Sequence, residues 1–329
     1  MNQHQAMIAD MAGALFAELG TSANVESDWD AVEQVALPAL LLSNEQGGFG
    51  SGWDDALIVF RLAGYHALAL PIVEATIAAG LSGVSVRERG TIASASSGAI
   101  VDDLFTGVVS GAPWGDGAAY VVAPRPGGGS MFLATASAQI EEGANIAGEP
   151  RIVFRFKSTA VKPLDADVFA LGALARAAQI AGALDATLAL SVTYANDRQQ
   201  FGRPLAKFQA VQQSLATLAC EAAAANVSAL GAAHAQASGR AHFEIAAAKL
   251  RGNQAVGAGT TIAHQVHGAI GFTEEYPLQR LTRRLWAWRS EFGGDSHWSR
   301  ILGGIVCGRG AENFWADMTA LTDQGESRL

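Results

Sequence analysis

The stretch "YANDRQQFGRPLAKFQAVQ", residues 194–212, joins two long alanine-rich segments and decides how this 329-residue chain is interpreted. Arg198 follows the end of one predicted helix, residues 202–204 (Gly-Arg-Pro) predict a turn, and a second helix begins shortly afterwards. Taken alone, Arg198 is typical of a solvated arginine at a helix end. The stretch gains meaning from a second segment nearer the C-terminus.

That second segment is "HQVHGAIGFTEEYPLQRLTRR", residues 264–284. Its glycines at 268 and 271, close to Gln265, would allow another backbone or a flat ligand to approach. His264 and His267 lie three residues apart and share one helical face, but no third ligand follows them. The sequence therefore predicts no metal site here.

The periodicity of apolar residues changes twice along the chain. Residues 5–82 show helical periodicity, with Met7, Met11, Leu15 and Leu19 on one apolar face and Pro71 as a break. Residues 86–165 contain short runs of β-branched and aromatic residues between glycines and prolines, with "PRPGGGS" (124–130) as a hairpin loop. Residues 166–329 are helical again, and their small residues favour close packing in a bundle.

The predicted fold class is therefore α+β, in three parts. The expected boundaries are an N-terminal α-helical domain over residues 1–85, a small antiparallel β-domain over 86–165 and a helical bundle over 166–329.

Composition narrows the class of protein. Half of the residues are hydrophobic and 16% are charged, which is typical of a globular protein. The net charge of −9 and pI near 5.2 argue against nucleic acid as a partner. The N-terminus has no signal-peptide pattern, and no uncharged apolar run of about 18 residues predicts a membrane span. We expect a cytoplasmic protein, with Cys220 and Cys307 as buried free thiols.

The two motifs, in this order and behind an α-then-β region, resemble the acyl-CoA dehydrogenase family over nearly the whole chain. The turn "LLSNEQGGFGSGW" (41–53) is similar to the family's N-terminal motif. The resemblance implies the acyl-CoA dehydrogenase fold: an N-terminal α-helical domain, a small middle β-domain and a C-terminal four-helix bundle around FAD and an acyl-CoA thioester. It also implies electron-transfer flavoprotein as electron acceptor.

The resemblance further implies roles for single residues. Arg198 would contact the FAD pyrophosphate of a neighbouring subunit, which suits a guanidinium group. Matching positions around the nucleotide are, first, Gln200, Phe201 and Gln209 and, on the adenine side, Gln265 and Gly268. The family's next glycine is Ala269 here. Because these contacts cross between subunits, the chain is expected to form at least a dimer.

The family's catalytic base is missing from its usual place. Desaturation removes a proton from the thioester Cα, which needs a carboxylate in a dry site that raises its pKa. An ungapped match of "GDSHWSR" (294–300) puts Gly293 at the base position, and the family's second position falls at Gly172 and Ala173. Glu291 remains the candidate base. It lies two residues upstream of Gly293, which is about 200° around a helix axis.

Other losses accompany this one. The family's flavin-contacting loop is replaced by "RERGTIASASSGAIVDD" (87–103), and the chain is shorter than a typical member. This pattern resembles the short, base-deficient subunits of heterotetrameric (α2β2) acyl-CoA dehydrogenases of steroid side-chain degradation. We weigh three hypotheses: such a subunit with a longer partner; a self-sufficient homo-oligomer using Glu291; and a flavin-free scaffold or acyl-CoA oxidase-like enzyme. A role in steroid side-chain or fatty-acid catabolism is expected.

Overall fold

The computed structural model describes residues 1–20, 23–239, 241–316 and 319, and it begins with a helical region. The N-terminal helices are α1 (Gln3–Leu19), α2 (Val25–Gln34), α3 (Trp53–Tyr65) and α4 (Ile72–Ser82). Asn2 and Gln5 form a capping box that starts α1. Pro71 directly precedes α4, which confirms the predicted break.

The most deeply buried row of α1 is shifted by one position along the chain from the predicted row. Ile8, Ala12 and Phe16 are buried, whereas Met7 is 62% exposed and Met11, Leu15 and Leu19 are only partly buried. The sequence contains two neighbouring rows of apolar residues at four-residue spacing, and spacing alone does not say which row faces α3. The predicted row therefore lies at the margin of the core: Met11, Leu15 and Leu19 pack against it, whereas Met7 does not.

Strands follow the four helices. They are β1 (Gly90–Ile92), β2 (Ala95–Val101), β3 (Leu104–Pro113), β4 (Tyr120–Pro124), β5 (Ser130–Ala134), β6 (Gln139–Glu141), β7 (Arg151–Ala160) and β8 (Lys162–Leu164). They form two four-stranded sheets, ordered β1-β4-β5-β8 and β2-β3-β7-β6. Side chains such as Phe105, Val121 and Phe154 fill one shared core.

The pairing within the sheets tests two predictions. β4 and β5 are antiparallel, and residues 125–129 connect them, so the predicted hairpin at "PRPGGGS" is confirmed. β1 and β4 pair in parallel, so the expectation of a purely antiparallel domain was wrong at this pair. The β2–β3 hairpin lies between them in sequence and pairs in the other sheet, which lets the chain return in the same direction.

The remaining chain is helical. It contains α5 (Val168–Asp197), the two-residue strands β9 (Gln199–Gln200) and β10 (Arg203–Pro204), α6 (Gln209–Ala237), α7 (His242–His267), α8 (Leu278–Ser290) and α9 (Asp295–Arg309). α5 is the central helix and packs against α3, α6, α7 and α8. At Gly182, a Cβ atom would lie 1.8 Å from the carbonyl oxygen of Arg61 in α3, so this crossing requires glycine.

Two of these helices, α5 and α6, have the length and apolar composition of a membrane span. The most apolar window of α5 is 89% buried inside the protein, as a core helix is, and that of α6 is 28% buried. Core helices and membrane spans share these properties, so they do not establish a span. The expectation that the chain has no membrane span stays a prediction.

Both cysteines are free and exposed, so the prediction that they are buried was wrong. Cys220 lies on the outer side of α6 and Cys307 on the outer side of α9. Their apolar sequence neighbours indicated burial, but a helix with an alanine- or glycine-rich sequence gives little signal about which side faces the core.

Candidate functional site

The two sequence motifs meet at one end of the helical bundle. The ring of Tyr194, near the end of α5, stacks on His267 at the end of α7, with 4.6 Å between ring centroids. His267 Nδ1 donates to the carbonyl oxygen of Ala263 at 2.7 Å, so Nε2 is free to accept from the Tyr276 hydroxyl at 3.2 Å. Burial lowers the pKa of His267, which favours this neutral form. A stack of half-buried tyrosine rings around the buried His267 therefore fixes one motif to the other.

Four of the predicted FAD-binding side chains are exposed in and beside the β9–β10 turn. Arg198 caps the end of α5, and its guanidinium makes no ion pair within the described ranges. Gln200 lies in β9, and Gln209 is the first residue of α6. Phe201 is 92% exposed at a backbone φ of 53°. A guanidinium group, two amides and an aromatic ring thus face outward together.

Gln265 and Gly268 line a neighbouring groove of about 480 Å³. Its other lining residues are Thr260, Thr261, His264, Phe272 and Trp286. The His264 ring stacks on Phe272 with 4.1 Å between centroids, and its Nδ1 is buried without a hydrogen-bond partner in the part of the chain that the structure describes. Gly268 has a φ of 65°, and the space beside its Cα is open.

These features fit the nucleotide half of a dinucleotide such as FAD. A guanidinium suits a pyrophosphate, aromatic rings suit a heterocycle, and the unsatisfied His264 Nδ1 needs a polar partner. The region expected to contact the flavin ring, residues 87–103, does not present Arg89 to a ligand in this way. There Arg89 donates to the carbonyl oxygens of Trp114, at 3.0 Å, and Asp116, so its donors serve internal contacts.

Glu291 lies at the C-terminal cap of α8, and both of its carboxylate oxygens are engaged. Oε1 accepts from Arg151 Nε at 2.8 Å and from Asn145 Nδ2 at 3.1 Å, and Oε2 accepts from Arg176 Nε at 2.8 Å. Burial raises the pKa of Glu291, but Arg176 and Arg151 outweigh it and lower this pKa to about 2. A general base working near neutral pH needs the opposite shift and an accessible lone pair.

The partners of Glu291 belong to a larger buried network. Arg176 Nη2 also pairs with Glu74 Oε1 at 2.7 Å. Arg151 also pairs with Glu149 at 3.0 Å, and Glu149 in turn accepts from Arg284 Nε at 2.8 Å. With Glu291, three carboxylates and three guanidinium groups balance in charge, as buried ions require.

This network, hereafter the arginine–glutamate network, connects α4, the start of β7, α5 and α8. Sequence reasoning missed Glu74, Glu149 and Arg151, because they lie far from Glu291 along the chain. The one local signal was Arg176, an arginine inside the alanine-rich α5. Within the described residues, no group of three His, Cys, Asp or Glu side chains could hold a metal ion.

The arginine–glutamate network predicts how the free energy of unfolding depends on pH in the acidic range. The folded-state pKa of Glu291 is about 2, below its ordinary value of 4.5, so its contribution is complete above pH 4.5 and is lost as pH falls through 2. We expect the free energy of unfolding to fall between these pH values, and to fall less steeply in Glu291→Gln. Urea unfolding of both proteins at pH 7, 4.5 and 3 measures this; parallel profiles would contradict it.

Comparison with known proteins agrees with the motifs. Residues 165–298 match the family described as acyl-CoA dehydrogenase, C-terminal domain. Acyl-CoA dehydrogenase IpdE2 of Mycobacterium tuberculosis is 30% identical over 270 residues, which is 79% of this chain and 80% of the relative. IpdE2 of Mycolicibacterium smegmatis is 29% identical over 275 residues, covering 82% and 84%.

Solved structures share the fold. The ChsE4–ChsE5 complex from Mycobacterium tuberculosis aligns with a TM-score of 0.82 at 19% identity, over 92% of this chain and 97% of the other. A variant of the Tcur3481–Tcur3483 steroid ACAD aligns with a TM-score of 0.82 at 21% identity, over 93% and 98%. The fold and family expected from the two motifs are thereby confirmed: the chain belongs to the acyl-CoA dehydrogenase family, oxidoreductases that act on CH–CH bonds.

Proposed function

We propose that this chain completes the FAD site of a heteromeric acyl-CoA dehydrogenase, while a longer partner subunit supplies the catalytic base. The contrast between two regions carries the proposal. The end of the bundle presents exposed groups suited to a nucleotide, whereas the charge of Glu291 is balanced by two arginines. Bound FAD would accept the hydride removed from the acyl Cβ.

Each exposed group has a role in this proposal. Arg198 would bind the pyrophosphate of FAD, with Gln200, Phe201 and Gln209 around the nucleotide. Gln265 and Gly268 would lie against its adenine side, where the open space beside Gly268 admits a ligand. The stack of Tyr194 on His267 would hold both sets in register.

The relatives support the heteromeric form and the substrate class. One structure of the same fold is named a complex of ChsE4 and ChsE5, and another is named a steroid ACAD. We therefore propose an α2β2 assembly acting on the side chain of a steroid-derived acyl-CoA in the cytoplasm. Electron-transfer flavoprotein is the proposed electron acceptor.

Purification of the chain alone and with a longer homologue from the same organism tests the proposal. We expect little flavin and no desaturation from the chain alone, and a yellow, active complex from the pair. A yellow, active homo-oligomer that loses activity in Glu291→Gln would instead support the self-sufficient enzyme. Absence of flavin in both preparations would favour the flavin-free scaffold.

Arg198→Ala should weaken FAD binding by the complex about 10- to 100-fold, since a hydrogen bond to a charged group contributes about 1.5–3 kcal/mol. Flavin titration of the apo-complex measures this. The control is Arg155→Ala, an exposed arginine that pairs with Glu141 in the strand region and should leave flavin affinity unchanged. Unchanged affinity in Arg198→Ala would remove Arg198 from the site.

A further inference from the structure

The turn between α8 and α9, residues 291–294, lies where the family match places a catalytic base. We propose that this turn cannot accommodate a catalytic carboxylate. Phe292 and Trp298 fill the space that such a side chain would need at Gly293 or at Gly172. Restoring an acid at either position would then not give this chain a desaturating centre. The inference rests on the proposed function and confines this chain's contribution to the nucleotide end of the bundle.

The backbone of the turn adopts an unusual conformation. Phe292 and Gly293 are consecutive residues with φ values of 51° and 95°. A bulky side chain rarely adopts the left-handed region, and it does so only where the surroundings impose it. Phe292 is buried, with its ring against Phe169 and beneath the Arg176 guanidinium. The turn is therefore held in place by its surroundings.

Lys249 of α7 supplies much of that hold. Its buried Nζ lies 3.0 Å from the carbonyl oxygens of Trp288, Arg289 and Gly293, and 2.7 Å from Asn253 Oδ1. The first two carbonyls belong to the last turn of α8, which has no helical donors for them and favours a cation. Lys249 thus fixes the end of α8 and the turn at Gly293 together.

Trp298 of α9 closes the other side of the turn. Its buried indole Nε1 donates to the carbonyl oxygen of Phe292 at 3.0 Å. A Cβ atom at Gly293 would lie 2.5 Å from this same Nε1, so any side chain there must displace the indole. A Cβ atom at Gly172 would lie 2.4 Å from the Phe292 ring. Both places where the family has a base are already occupied.

Two pairs of alanine variants test whether the space is filled. Gly293→Ala is compared with Gly127→Ala, because Gly127 has a φ of 93°, close to the 95° of Gly293, so both variants carry the same backbone strain, but only Gly127 has open space beside it. Gly172→Ala is compared with Gly231→Ala, because the structure places nothing within 4 Å of a Cβ at Gly231 in α6. We expect the first variant of each pair to lower the Tm by about 5 °C or more, and the second to shift it by less than about 2 °C. Equal small shifts within both pairs would overturn the proposal.

Gly293→Glu tests the consequence for catalysis. The purified variant, in D2O with a panel of acyl-CoA thioesters, should exchange the Cα proton no faster than the wild-type chain. A folded variant with exchange raised about 100-fold, the usual contribution of a general base, would overturn the proposal. If this variant does not fold, the alanine pairs decide. The alanine pairs require neither flavin nor partner. Equal stability within the pairs would therefore overturn this inference and leave the proposed function untouched. Conversely, absence of a flavin-containing complex would overturn the proposed function and leave the alanine result unaffected.

Discussion

Replacing Glu291 with glutamine is expected to lower the free energy of unfolding by about 3 kcal/mol at pH 7, because Arg176 and Arg151 would then lack a buried counter-charge. The glutamine oxygen can accept from only some of these donors, and its amide group would face guanidinium groups. Urea unfolding with a circular dichroism readout measures the loss. The matched control is Glu141→Gln, which breaks an exposed pair with Arg155 and should cost less than about 1 kcal/mol.

The same variant separates a structural role from a catalytic one. A base would lose proton abstraction with little change in stability, whereas a member of the arginine–glutamate network should lose stability. Unchanged unfolding together with lost Cα proton exchange would contradict the network interpretation. It would also restore Glu291 as the candidate base.

Replacing Gly182 with alanine is expected to lower the free energy of unfolding by about 3 kcal/mol, at the upper end of the range for an overpacked core. The added Cβ would lie 1.8 Å from the Arg61 carbonyl oxygen and 2.9 Å from the Tyr65 backbone nitrogen. Backbone atoms of α3 cannot rotate away, so the whole helix must move. The ion pair of Arg61 with Asp185, at 2.6 Å across the same crossing, opposes that movement.

Gly231→Ala is the control for this second variant, because the exposed side of α6 has space for a methyl group. Alanine there should be neutral or stabilise the helix by about 0.5–1 kcal/mol. Thermal and urea unfolding of both variants give the comparison. Equal stability of the two would show that α3 and α5 pack less closely than the structure indicates.

Local patterns predicted much of the fold. The break at Pro71 before α4, the hairpin at residues 124–130 and the alternation of helices and strands follow from proline, glycine and the two apolar periods. The buried row of α1 and the exposure of Cys220 and Cys307 did not follow, because they depend on which neighbouring helix each side meets. Parallel pairing of β1 with β4 likewise depends on how distant segments associate.

The candidate site divides in the same way. Arg198 and Gln265 could be singled out because each lies in a motif, and their roles stay predictions. Successive helices of a bundle run antiparallel, so the C-terminal ends of α5 and α7 lie at the same end of the bundle. The contact of Tyr194 with His267 shows this arrangement. The partners of Glu291 could not be predicted, because an ion pair between residues more than a hundred positions apart leaves no local pattern.

The arginine–glutamate network also has a consequence for how the chain folds. Its six charges come from α4, the segment before β7 together with β7 itself, α5 and α8. A partly folded chain that assembles only the helices, or only the strands, would bury some of these ions without their partners. Such intermediates are penalised, which couples the strand region to both helical regions as one cooperative unit.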